Sequence, residues 1–253
     1  MNSYSVDLHV HSALSPCAAE EMTPPAIVQA AIDRGLGIIA ICDHNAAGNT
    51  AATQEAAGET AKVVVLAGIE ITTTEEVHVV GLFGSSEAAV ATAEAVRATL
   101  PGSTAESRSR FGEQRLMDSH GRVIGFEEKM LAAASTLDLA GAVQLIRRNH
   151  GIAVAAHVNR KSFSVLSQLG LFPSDVEFDA IEVFSPCGPQ QVDARATAAA
   201  KFRSFGPPVI ASSDAHFLAD IGRAHSEAVM EAPTFDELVL ALRGVGGRSV
   251  GCA

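Results

Sequence analysis

Seven short, apolar, β-branched runs recur along the chain, and most of them end in a histidine or a carboxylate. They are YSVDLHV (4–10), LGIIAICD (36–43), KVVVLAGIE (62–70), VHVVGLF (77–83), GIAVAAH (151–157), FDAIEVF (178–184) and PPVIASSD (207–214). Near-continuous apolar strands suit a sheet buried on both faces, as when helices cover a parallel sheet. Helical patterns fill most of the gaps. TPPAIVQAAIDRG places Thr23 at the N-cap, prolines in the first turn and Gly35 as the stop. NTAATQEAAGETA is a weaker, alanine-rich helix, and SSEAAVATAEAVRATLPG opens on serine. TLDLAGAVQLIRRNHG has arginines in its last turn, and TFDELVLALRG is capped by Thr234. Alternating strand and helix predicts a parallel α/β architecture. Single α/β barrels reach this length of 253 residues. Residues 101–135 break the alternation. They are polar and mixed, with arginines at 108, 110, 115 and 122. They read either as a mostly helical cap inserted within 85–150 or as a solvated surface excursion.

The ends of the runs hold the chemistry. His9-Val-His11 ends the first, Asp43-His44 the second, Glu70 the third and His157 the fifth. Glu182 lies in the sixth, and Asp214-Ala-His216 ends the seventh. His78 instead starts the fourth run, so it must reach the others from a different direction. The carboxyl ends of strands form the active face of barrels and open parallel sheets. His9 and His11, two apart on a strand, point to one face and can grip one ion. An HxH, a DH or a DAH is a weak signal alone. Convergence is stronger, because polar groups at the ends of buried strands are costly unless paired or metal-bound. Of nine histidines, only His120, His150 and His225 fall elsewhere.

Composition narrows the field. With 18 basic and 29 acidic residues the formal charge is −11, so a global basic footprint for nucleic acid is missing. One Tyr, no Trp and 11 Phe offer little for stacking a long strand. Composition therefore speaks against long nucleic acid as the partner and for a small substrate. Cys17, Cys42, Cys187 and Cys252 lack framework spacing and read as reduced thiols. There is no apolar run long enough for a membrane span and no basic-then-apolar leader pattern, so a cytoplasmic protein is the expectation. SSDAH and SPC lack the strand–elbow–helix pattern of a nucleophilic serine or cysteine, so covalent catalysis is not expected.

In order, DLHVHS, AICDHN, GIEIT, VHVVGLF, VAAHVNR, IEVFSP and ASSDAH resemble the PHP (polymerase and histidinol phosphatase) family of metal-dependent phosphoesterases. The likeness is greater to its stand-alone members than to the domain within replicative polymerases. The resemblance implies one domain over 1–253, a distorted (β/α)7 barrel with a trinuclear centre of two or three divalent ions (Zn, Mn or Fe, with Mg a further option). Carried over, His9, His11, Glu70 and Asp214 would hold the first metal. Glu70 would bridge to a second, held by His78 and His157. His44 and His216 would hold a third, with one more ligand from the first loop. Cys17 stands at that place, and a thiolate would favour zinc or iron. Glu20 or Glu21 is the alternative. Glu70, Asp214 and Asp43 are the expected catalytic group, Asp43 either orienting a histidine or ligating directly, and Glu182 a further orienting candidate. The implied chemistry is attack of a metal-activated hydroxide on phosphorus. Arg160 and Arg223 are the expected phosphate anchors, with Arg110 and Arg115 of the insertion as weaker candidates, and His225 is a weak candidate for general acid. A nucleotide-like phosphomonoester is favoured. Histidinol phosphate, an amidohydrolase-type hydrolase and a non-catalytic metal-binding module are the alternatives.

Overall fold

The computed structural model describes residues 1–184 and 200–252. Cys187, with the end of the IEVFSP motif, lies outside them. In chain order the elements are β1 (Asn2–Val10), α1 (Pro24–Asp33), β2 (Ile38–Ile41), α2 (Thr50–Gly58), β3 (Val64–Thr72), β4 (His78–Phe83) and α3 (Ser86–Arg97). Then come α4 (Ala105–Phe111), β5 (Arg115–Met117), β6 (Val123–Phe126), α5 (Leu139–Arg148), β7 (Ile152–Ala155) and α6 (Val165–Leu169). The chain continues with β8 (Ala180–Phe184), β9 (Val209–Ser212), β10 (Ser226–Met230), α7 (Phe235–Leu242) and β11 (Ser249–Cys252). All seven expected strands are present. They lie in one nine-stranded sheet of order β11-β10-β1-β2-β3-β4-β7-β8-β9.

That sheet curls into a nearly closed, helix-covered barrel. Beyond β9 the chain bridges back to β1 at Val10 and Ala215. The His11 N–H donates to the Ala215 carbonyl at 2.9 Å and the Ala215 N–H to the His9 carbonyl at 3.3 Å. Lower on the seam a side chain replaces the ladder. The buried Ser226 hydroxyl accepts from the Ala211 N–H at 2.8 Å and donates to the Ala211 carbonyl at 3.0 Å. Outside the sheet, Ile69 and Val79 pack with Val96 of α3 and Ile146 of α5, while Ile39 and Ile41 pack with Ile27 of α1. Burying side chains of this size contributes about 1.5–3 kcal/mol each.

Two departures from a regular barrel place the site. The first is strand direction. β4 is antiparallel to both β3 and β7. Only residues 73–77 join Thr72 to His78, too few for a parallel crossover and enough for a hairpin. His78, at the start of β4, therefore lies on the rim that the other strands reach at their ends. The second is a bulge in β1. Asp7 pairs with Ile39 and Val10 with Ile41, so three steps of β1 face two of β2. Val6 and Leu8 join the inner cluster with Ala40, Leu66 and Val80, whereas Val10 packs outside with Ile27. The extra residue reverses the alternation. His9 thus points inward although Leu8 beside it does too.

The 101–135 segment corrects the expectation of a mostly helical insertion. Its one helix, α4, has seven residues, followed by the β5–β6 hairpin. It packs on the β1 and β2 loops. Asn49 donates to the Arg115 carbonyl at 2.9 Å and accepts from the Met117 N–H at 2.9 Å, and Leu131 joins Leu14, Ala46 and Leu100. Thr23 occupies the α1 N-cap but makes no side-chain cap bond, since Pro24 and Pro25 leave two fewer amide donors in that turn. No helix of the described residues is long and apolar enough to cross a membrane.

Ser226→Ala would strand the buried Ala211 amide and carbonyl at the seam. It is expected to lower unfolding free energy by about 1–3 kcal/mol in denaturant titration.

Candidate metal centre

Glu70 lies near the end of β3 inside the rim, fully buried. Its Oε1 lies 2.7 Å from His78 Nδ1, 3.1 Å from His157 Nε2 and 3.4 Å from His9 Nε2. Its Oε2 lies 2.8 Å from His44 Nδ1 and 3.5 Å from His11 Nε2. Burial alone would raise this carboxyl, but His78, His9 and His44 outweigh it and hold Glu70 well below the usual carboxylate range. Asp214 supplies the second carboxylate. Its Oδ1 is 3.0 Å from His11 Nε2 and 3.5 Å from His9 Nε2, and its Oδ2 is 2.5 Å from Arg160. Burial opposes its ionisation too, and again the imidazoles of His9 and His11 prevail.

Among the described residues, potential ligand atoms gather in three sets, each within 4.8 Å: His9, His11, Glu70 and Asp214; His11, His44 and His216; His44, Glu70 and His78. Glu70 Oε2, His78 Nδ1 and His157 Nδ1 are buried and complete no hydrogen bond of good geometry. Glu70 Oε2 and His78 Nδ1 belong to one set of ligand atoms, so a divalent cation that accepts a lone pair from each would satisfy both, while His157 turns its Nε2 to Glu70. The donor set of imidazoles and carboxylates suits zinc, iron or manganese.

Partners behind the ligands fix how three imidazoles present themselves. His9 Nδ1 lies 3.1 Å from both oxygens of Glu182. His11 Nδ1 lies 2.9 Å from Ser15 Oγ, which donates to Asp43 Oδ1 at 2.7 Å. His216 Nδ1 lies 2.9 Å from the Asp214 carbonyl. Donation from each Nδ1 leaves the Nε2 lone pair free to ligate. His157 and Asp214 sit in the left-handed region (φ 28° and 49°), where non-glycine residues are strained. Such strain collects at functional sites.

Asp43, expected among the catalytic groups, is turned away from the cluster. Its oxygens accept from the Ser12 N–H at 2.8 Å, Ser12 Oγ at 2.6 Å and Ser15 Oγ. It reaches His11 only through Ser15. Burial raises its pKa. Asp43 thus stands where the orienting reading had it, and of the two expected phosphate anchors Arg223 turns elsewhere. It pairs with Asp220 at 2.5 Å and is half-exposed, whereas Arg160 reaches Asp214 with its guanidinium 4.0 Å from the centre of the Phe184 ring. Among the weaker candidates, Arg115 pairs with Glu20 at 2.6 Å, Arg110 lies over Phe111, and His225 bonds the Gly222 carbonyl.

Cys17 is exposed and stands outside the three ligand sets, including the one that holds His44 and His216, although both imidazoles act on its thiol. Burial pushes the thiol up, and hydrogen bonds to His216 and His44 outweigh it, bringing it down to about 6. The Cys17 loop is tied to the His216 loop by the Ala19 N–H, which donates to the His216 carbonyl at 2.9 Å. Glu20 is engaged by Arg115 instead, and Glu21 is exposed.

Two supporting residues escaped the sequence reading. Buried Asp7 accepts from the Ser213 amide and hydroxyl and the Gly222 amide, anchoring the loop that carries Asp214. Burial, set against those bonds, raises Asp7 to about 6. Asn45 donates to the Leu131 and Ala133 carbonyls and accepts from the Thr72 amide, locking the His44 loop to β3. A polar residue inside an apolar strand, and the Asn after Asp-His, were the available signals.

A buried carboxylate ringed by imidazoles on the rim of a nearly closed α/β barrel defines a metal-dependent hydrolase class of centre. The PHP domain family model matches residues 7–168, and the PHP-associated model matches residues 194–244. The chain belongs to the PHP family, a family of metal-dependent phosphoesterases. Three solved structures share its fold. The lesion-specific endonuclease Q of Pyrococcus furiosus is 18% identical over 98% of this chain and 58% of its own, with a TM-score of 0.67. An amidohydrolase from Chromobacterium violaceum is 21% identical over 86% and 89%, with a TM-score of 0.60. A putative metal-dependent phosphoesterase from Bifidobacterium adolescentis is 19% identical over 83% and 87%, with a TM-score of 0.53. The chain thus spans 58% of the endonuclease Q chain, under two thirds of it. No curated protein sequence matches the chain.

Glu182→Gln weakens the acceptor behind His9 and is expected to lower metal affinity about 10- to 100-fold, read by competition with a chelating dye. Carboxylates keep His9 and His44 protonated above the usual imidazole range despite burial. A cation must displace those protons, so binding should release protons and tighten as pH rises through neutrality. Calorimetry in buffers of different ionisation enthalpy reads this directly.

Proposed function

We propose that the chain hydrolyses a small phosphate monoester, with a nucleotide-like substrate favoured, using two or three divalent ions. Zinc, iron or manganese fit the donors, and magnesium is a further option. His9, His11, Glu70 and Asp214 would hold one ion. Glu70 would extend to a second with His78 and His157, and His44, His216 and Cys17 would take a third. Bound ions of this kind supply hydroxide near neutral pH and offset the charge on phosphoryl oxygens.

The chain's own residues do the rest. Glu70 and Asp214 stay ionised in a buried site because the imidazoles hold them so, which makes them strong ligands at neutral pH. Glu182, Ser15 and the Asp214 carbonyl aim His9, His11 and His216. Arg160 brings a fixed positive charge beside Asp214, where phosphate oxygens would meet it. The observation that supports this reading most is that junction: a guanidinium and the imidazole–carboxylate cluster share one carboxylate. Glu70 takes the bridging place that a lysine commonly fills in amidohydrolases, which favours phosphate esters over amides.

Phosphate release should be measured with Mn²⁺ or Zn²⁺ on mononucleotides, nucleoside 3′,5′-bisphosphates, histidinol phosphate and a duplex carrying an abasic site. Release from the small esters is expected, and Glu70→Ala should abolish it. Arg160→Ala should lower kcat/KM about 10- to 100-fold, as loss of a charge-assisted bond implies, and Arg223→Ala should leave it unchanged. Cleavage confined to the duplex, or amide hydrolysis without phosphate release, would overturn the proposal. Metal-loaded protein with no turnover on any ester would leave a binding module.

A further inference from the structure

One aromatic side chain at the rim is built more carefully than packing requires. Phe163 lies between β7 and α6 with φ 57°, a region that a bulky residue seldom enters. The loop around it is braced. The Arg160 N–H donates to the His157 carbonyl at 2.8 Å, and Ser164 Oγ donates to the Arg160 carbonyl at 2.9 Å. The His78 N–H donates to the Phe163 carbonyl at 2.9 Å. The ring lies nearly parallel on the His78 imidazole, 4.6 Å between centroids and 20° between planes. Yet Phe163 remains 41% exposed. A core phenylalanine would be hidden, and a surface one would not need a strained, three-point loop to hold it against a ligand histidine.

We infer that Phe163 is a specificity-determining residue: its ring is a stacking platform for an aromatic ring on the alcohol portion of the substrate. Arg160, on the same loop, sits at the phosphate end. The inference rests on the reading of the centre as a phosphomonoesterase and narrows its substrates to esters of ring-bearing alcohols. The ring could be a nucleobase or an imidazole, and aromatic stacking serves both.

The test uses phosphonate analogues, in which a methylene replaces the ester oxygen and blocks hydrolysis. Analogues of adenosine monophosphate, histidinol phosphate and glycerol phosphate are titrated into zinc-loaded wild type, Phe163→Leu and Phe163→Tyr by calorimetry, with zinc content measured for each. Wild type should prefer at least one ring-bearing analogue over the glycerol one. That preference should fall about 5- to 150-fold in Phe163→Leu and persist in Phe163→Tyr. Stronger preference for the adenosine analogue assigns a nucleobase, and for the histidinol analogue an imidazole. No preference in wild type, an equal loss for all three analogues in Phe163→Leu, or zinc lost from that variant would overturn the inference. The last two would mean that Phe163 merely positions His78. A ring preference that depends on Phe163, in protein that releases no phosphate from the parent esters, upholds the platform and removes the phosphatase reading. Hydrolysis of all three esters with no dependence on residue 163 does the reverse.

Discussion

An ionised carboxylate fully enclosed in protein is the constraint on which the rest of this structure depends. Glu70 is surrounded by His9, His11, His44, His78 and His157 at 2.7–3.5 Å. Removing a carboxylate from water costs several kcal/mol even after relaxation, unless positive charge and good geometry offset it. Five imidazoles from four separate segments can surround one carboxylate only if the backbone brings those segments to one rim. Closing the sheet, reversing β4 and bulging β1 all serve that convergence. His78 then enters from the start of its strand, and His9 turns inward beside Leu8.

Rigidity behind the ligands matters as much as the ligands. Asp43 gives both oxygens to Ser12 and Ser15, and through Ser15 orders His11. Glu182 accepts from His9 Nδ1 and from the His157 amide at 3.0 Å, so one carboxylate positions two of the histidines around Glu70. Asp7 fixes the Ser213–Asp214 turn from outside. These acids explain part of the negative formal charge, since several are internal supports and not surface charges.

Much of this was legible before any fold was known. The seven apolar runs became seven barrel strands because continuous hydrophobicity admits few arrangements other than burial on both faces. Histidines and carboxylates at their ends marked the rim. What stayed hidden depends on registers and contacts that periodicity does not encode. A bulge is one extra residue in nine, and the short β3–β4 link announces a hairpin only once both neighbours are known to be strands. Asp43 could be read as orienting a histidine or as ligating directly, and only the folded loop shows its oxygens held by Ser12 and Ser15, with Ser15 linking it to His11. Arg223 follows the last motif closely in sequence but turns to Asp220. The 101–135 segment has polar, irregular composition, and its hairpin is held by bonds to Asn49 and Gln114 rather than by its own pattern. Phe163 carried no signal at all, since its backbone strain and its stack on His78 exist only in the folded loop.

The central claim is that Glu70 lies between cations. Anomalous X-ray scattering at the zinc absorption edge, from crystals grown with zinc, tests it most directly. Peaks at coordination distance from both oxygens of Glu70, one also reached by His9, His11 and Asp214 and another by His78 and His157, are the predicted result. A cluster with no peak near Glu70, its imidazoles paired to the carboxylates by protons alone, would contradict the account.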